Sequence, residues 1–168
     1  MIEKGFKEGS LEAYQVIEAK PGREFIFRLN AGADVLKSVK KFVQDHNIRI
    51  AKICAFNRGS LQPTRFEVWT PDTANPSEFT EINTTIHNKA MVLSLSGIIH
   101  PKIKEGKEVT DVKIHIVIGG SWDVPTMGGH LQEGSITTGT FEFFVTEMTG
   151  IDILPIKEGV SEWYKPVT

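Results

Sequence analysis

The sequence has one cysteine, Cys54, so no disulfide can form within the chain. It also lacks any apolar run near the roughly 20 residues that a membrane-spanning helix requires. The first residues, Met1 to Glu8, hold no apolar segment of the secretion-signal kind, so a cytoplasmic location is expected and no membrane partner. Repeats, low-complexity tracts and Ser/Pro-rich linkers are missing as well. The 168 residues therefore read as one domain, 1–168, with a core over about 20–150, a polar N-terminal arm and a C-terminal tail.

Motifs of chemistry are equally scarce. There is no GxSxG elbow for nucleophilic catalysis, although Ser94, Ser96 and Ser121 lie near glycines. There is no CxxC, HxxxH or HxH for a metal. Gly119-Gly120 and Gly128-Gly129 neither match GxxxxGK[ST] nor precede a helical pattern, which excludes a phosphate loop. Helix-turn-helix, zinc-finger and RNP signatures are missing, as is an Arg-Gly-Arg-Pro core for the AT-rich minor groove. No catalytic residue is assigned on these grounds, and an enzyme is not the expectation.

What is present is ordinary globular composition, 40% hydrophobic and 24% charged. Net charge is −2, but unevenly spread. Over 20–65 ten bases face only Glu24, Asp34 and Asp45, a balance of +7; the remainder carries −9. Such asymmetry can mark a polyanion-binding face, through Lys37, Lys40, Lys41, Arg58 and Arg65. The plainer reading is a solvated helix that carries lysines, in a fold that mixes both halves of the sequence on its surface.

Val35, Leu36, Val39, Phe42, Val43 and His46 recur at helical spacing, with Lys37, Lys40 and Lys41 opposite. A helix over about 34–46 is predicted, with Asp34 as N-cap and Asn47 at its left-handed end. The rest reads as strands: 12–20 and 24–29 around a Pro21-Gly22 turn, then 48–57, 61–70, 78–87, 90–99, 112–119, 135–147 and 151–156. Lys102 to Glu108 reads as a charged hairpin tip or flexible insertion. The expected fold is α+β, a mostly antiparallel sheet packed with one helix, its edges hidden by oligomerisation. Cys54, in Ile53-Cys54-Ala55-Phe56, is expected to be a buried, inert thiol, and Trp163-Tyr164 to dock on the chain's own sheet rather than on a partner.

Two histidines carry the most chemistry. His115 lies in Ile114 to Gly119, sharing a strand face with Lys113 and Val117, and His130 follows Gly128-Gly129. On neighbouring strands they could hold a divalent metal such as zinc through imidazole nitrogens. The remaining ligands would come from His100, Glu133, Glu142 or another subunit. Glu133 and Glu142 are also the available acid/base pair, although Glu142 fits a half-exposed strand.

Together these segments resemble the plants-and-prokaryotes-conserved domain, over roughly 20–150. The resemblance rests on Arg28-Leu29 with Gly32 to Leu36, on Ile53 to Leu61, on Leu93-Ser94-Leu95-Ser96-Gly97, and on His115 to Gly119 with Gly128-Gly129-His130-Leu131 and Gly134, ending in the Glu142 strand. It implies an α+β homotrimer and a DNA-binding, regulatory role without an established activity. In the family His-x-His is common on the histidine strand, and the first position is Lys113 here; a glutamate common before Leu-Ser-Leu is Met91. The alternative expectation is a metal- or small-anion-binding protein, or an enzyme, with subunit-interface sites built from Lys113, His115, His130 and Glu142.

Overall fold

The computed structural model describes residues 16–73, 79–120, 123–158 and 161–167. In chain order these form β1 (Lys20–Leu29), α1 (Val35–Asp45), β2 (Ala51–Arg58), β3 (Ser60–Leu61), β4 (Thr64–Pro71), β5 (Phe79–Ile86), β6 (Ala90–Lys104), β7 (Lys107–Gly119), β8 (Met127–Leu131), β9 (Phe141–Thr149), β10 (Asp152–Glu158) and β11 (Ser161–Val167). The first nine strands make one sheet in the order β1-β9-β2-β6-β7-β8-β4-β5, with β3 pairing β6 beside that path. Every pairing in it is antiparallel. A mostly antiparallel sheet with one helix is thus the architecture of the described residues, as its sequence pattern predicts.

The helix forms where the apolar spacing demands it. Asp34 caps it, its Oδ1 accepting from the Lys37 amide at 3.1 Å. At the other end Asn47 adopts φ +52°, and the amides of Asn47 and Ile48 donate to the carbonyls of Gln44 and Val43. Val35, Leu36, Val39 and Val43 are buried against one sheet face, which contributes Ile53, Leu95, Ile99, Ile114, Ile116, Phe143 and Val145. Because side chains alternate along a strand, the opposite face carries everything else. It displays Ile26, Ile98 and Val117, each about 40% exposed or more.

Several expectations are corrected. Residues 20–29 form one strand through Pro21-Gly22, with a register shift between Pro21 and Glu24; bulged pairing accommodates the proline without a turn. Residues 12–15 lie outside the described ones. Lys102 to Glu108 is no insertion: β6 and β7 run to Lys104 and from Lys107, joined by Glu105-Gly106 at φ +51° and +76°, the geometry of a tight hairpin. The 135–147 stretch is not one strand. Its first part crosses to the start of the helix, where Thr137 Oγ1 donates to the Asn30 carbonyl at 2.6 Å and accepts from the Ala33 amide at 3.0 Å. The C-terminal tail forms a hairpin, Trp163 opposing Ile156 in its ladder, and β10 packs against β6. Cys54 is exposed rather than buried, because the alternation of β2 places it on the open face while Ile53 takes the core.

Phe143 is fully buried between α1 and the central strands. Phe143→Ala is expected to lower stability by about 3–5 kcal/mol. Urea unfolding would show this as a lower midpoint at unchanged slope.

Candidate functional site

Strand register assembles the site. Directly opposed residues of antiparallel strands share a face. Following the pairings across the sheet gives one row: Asn83 and Glu67, Glu67 and His130, His130 and His115, His115 and Ser96, Ser96 and Cys54, Cys54 and Phe144. All lie on the face turned away from the helix. His115 and His130 meet edge-to-face, ring centroids 5.1 Å apart.

The glycine pair before His130 has a steric cause. β8 is wedged between β7 and β4, and a Cβ on Gly128 would lie 2.1 Å from the Ile116 carbonyl oxygen. One on Gly129 would lie 2.4 Å from that of Glu67. Only glycine lets β8 approach both neighbours and hold His130 opposite His115.

Glu67 is the residue that sequence reading missed. Its carboxylate accepts from the Trp69 indole N–H, and from Gln132 Nε2 at 3.3 Å. The alternation of Arg65, Glu67 and Trp69 marks one face of a strand, but not which strand it joins. Burial lowers the His130 pKa from 6.5, the neighbouring His115 adds to this, and Glu67 opposes it. The neutral ring, the form that can donate a lone pair, is therefore favoured.

The other candidates do not all converge. Lys113 lies two residues before His115 on the same face, half-buried and opposite Ile98. His100 is fully buried, its Nδ1–H donating to the Pro101 carbonyl at 2.9 Å, and burial chiefly lowers its pKa. It is a buried histidine, opposite Asp111 in the β6–β7 ladder. Glu142 lies on β9, separated from β7 by β2 and β6, about 14 Å away at ~4.8 Å per strand. Its carboxylate faces Arg28 at 3.5 Å. Glu133 is held by Lys40 at 2.8 Å, a bond that pulls its pKa down, and is approached by Lys37 at 3.9 Å. Neither acid belongs to the histidine pair, and the two do not form an acid/base couple. Among the described residues no group of three or more His, Cys, Asp or Glu could hold a metal ion.

The fold pairs much of the basic segment with acids. Lys37 and Lys40 meet Glu133, Lys41 meets Asp45 at 2.7 Å, and Arg23 meets Glu147 at 2.8 Å. Arg49 pairs with Glu108 and Asp152. The acids come largely from beyond residue 65, so charges segregated in sequence are mixed on the surface. Arg58 opposes Glu142 in the β2–β9 ladder. Ser121 lies outside the described residues.

Comparison with known proteins places this geometry. A Pyrococcus horikoshii plant- and prokaryote-conserved protein is similar, at 24% identity over 89% of this chain and 96% of that one, with a TM-score of 0.65. So is a metal-containing protein from Archaeoglobus fulgidus, at 24% identity, 82% and 87% coverage and a TM-score of 0.63. A candidate DNA-binding protein from Bacteroides thetaiotaomicron is 18% identical, with 88% and 96% coverage and a TM-score of 0.66. At such identities the likeness concerns the fold alone. No curated protein matches the chain. The model of the Plants and Prokaryotes Conserved (PCC) domain, however, matches residues 16–149, and with four-fifths of its length inside that match the chain belongs to the PCC family.

Proposed function

We propose that this chain is a self-associating binding protein whose site is the His115–His130 pair, with a divalent metal ion of the zinc type as its ligand. The carrying observation is the pair itself: two imidazoles in direct register, 5.1 Å apart, on the sheet face that the helix leaves open. Imidazole is a good donor to such an ion, which brings Lewis acidity to whatever binds with it. Two donors per chain are half of a tetrahedral set. The rest would come from a second copy, in the homotrimer that the family resemblance implies. Exposed Ile26, Ile98 and Val117 around the row give that face an apolar reason to associate. The metal-containing A. fulgidus neighbour supports the same reading. Lys113, where a third imidazole is common, weakens attraction for a bare cation and favours an anion bound beside it.

A regulatory DNA-binding role is the second reading, favoured by neighbours described as candidate DNA-binding proteins. Ion pairing of Lys37, Lys40 and Lys41 leaves few cations for phosphates. Duplex binding at 50 and 200 mM salt separates the two readings. A DNA role requires a log–log slope of about −0.9 per phosphate contact, flattened when these three lysines become Glu. A slope near zero removes it.

For the metal reading, zinc added to chelator-stripped protein should bind stoichiometrically, by calorimetry and elemental analysis. His115→Ala with His130→Ala should abolish binding, and Lys113→His should tighten it at least about tenfold by supplying a third imidazole. Zinc binding that survives the double replacement would sink the assignment. In the metal-free protein, ¹H–¹⁵N spectra should show His130 titrating below 6.5, and His115→Ala should move it upward. Since the fold prefers the neutral ring, the unfolded chain takes the proton first. Stability from this group is therefore intact above 6.5 and declines as pH falls through that value, until the folded ring titrates too.

A further inference from the structure

A second site lies beside the histidine row, where β4 and β5 meet the segment after β8. Arg65 stands two residues before Glu67 on β4, opposite Thr85 of β5, and its carbonyl accepts from the Gln132 amide at 2.9 Å. Around it is a half-open cavity of about 330 Å³, lined by Arg65, Phe66, Asn83, Thr84, Thr85, Gln132 and Glu133. We propose that this cavity binds a small phosphate monoester of about sugar-phosphate size, through the Arg65 guanidinium. This goes beyond the metal reading and does not depend on it.

Three observations carry the assignment. First, the Arg65 guanidinium has no carboxylate within ion-pair distance among the described residues, whereas Arg23, Arg28 and Arg49 each have one. The one acid on the cavity wall, Glu133, is already met by Lys40 and Lys37, so the wall has a surplus of positive charge. Second, the backbone of Arg65 is held in place. Its amide donates to Ser135 Oγ at 2.9 Å, and that hydroxyl shares its one proton between the Arg65 and Gln132 carbonyls, each at 3.0 Å. Ser135 is fully buried. The side chain lies across Gly134, at φ +89°, where a Cβ would come 3.0 Å from Arg65 Cδ and Nη1. Gly134 is itself fixed by its amide donating to Asp34 Oδ2 at 2.7 Å. Third, apart from Phe66 the remaining wall consists of amides and hydroxyls, groups that suit the hydroxyls of a sugar.

A guanidinium presents paired N–H donors that match two phosphate oxygens. The volume lies at the small end of the roughly 300–1,000 Å³ typical of ligand cavities, enough for a monosaccharide phosphate. A duplex cannot enter a recess of this size. That, with the paired lysines of the helix, favours a small ester over nucleic acid.

The test is calorimetric titration of the full chain with ribose 5-phosphate, with ribose, inorganic phosphate and a mixed-sequence DNA duplex as comparators. Ribose 5-phosphate should bind more tightly than phosphate, and ribose not measurably. Arg65→Met should weaken the ester at least about tenfold, as expected for a lost charged hydrogen-bonding partner. His115→Ala with His130→Ala should leave it unchanged, which separates this site from the metal reading. Asn83→Ala with Thr85→Ala, on the exposed strand, provides a second variant, expected to weaken the ester and not phosphate. Ester binding absent from the wild type, indifferent to Arg65→Met, or abolished with the histidines would overturn the proposal. Stronger competition by the duplex than by phosphate would overturn it in favour of a nucleic-acid contact.

Discussion

The registration of antiparallel strands is the constraint on which the rest of this molecule depends. Each strand places alternate side chains on opposite faces, and each pairing decides which of them stand opposite one another. One face receives the aliphatic and aromatic residues that meet α1. The other receives a line of unlike groups drawn from six strands: Glu67, His130, His115, Ser96, Cys54 and Phe144. A one-residue slip of β8 would turn His130 toward the core and bring Leu131 to the surface, exchanging a polar ring for a fully buried leucine. The hydrophobic cost of that exchange keeps the imidazoles opposed, so the core maintains the site.

The segment after His130 links this arrangement to the helix. Asp34 accepts from Lys37 within α1 and from Gly134 across the chain. Ser135 and Thr137, both buried, bond to the backbone of Arg65 and of the turn before the helix. One short stretch thus joins β4, β8 and the helix N-terminus, and it also brings Glu133 over Lys40. The pairing of Lys37 and Lys40 follows from this docking.

The helix was legible because its apolar spacing, cap and terminal Asn47 all agree. The histidine face of β7 was legible for the same reason, since alternation alone puts Lys113, His115 and Val117 together. Which strand lies beside it was not: β4 joins β8 through a single short ladder that no local pattern announces, so Glu67 could not be foreseen. Met127–Leu131 was missed as a strand because two glycines argue against one, and their reason is the close approach of two backbones. Cys54 was misjudged because a run of apolar neighbours conceals the alternation that exposes it. The ion pairs of the lysines join residues as much as 96 positions apart, beyond any reading of local charge.

Gly128 and Gly129 fix more than one strand. They set the distance between the backbones that carry His115, His130 and Glu67, and any larger residue there displaces the frame. Exchanging the side chain at 113, 96 or 54 alters the chemistry of the face and leaves the spacing intact. The fold therefore separates two kinds of change: its binding preference can drift one surface position at a time, while the place of binding is anchored by two residues that have no side chains at all.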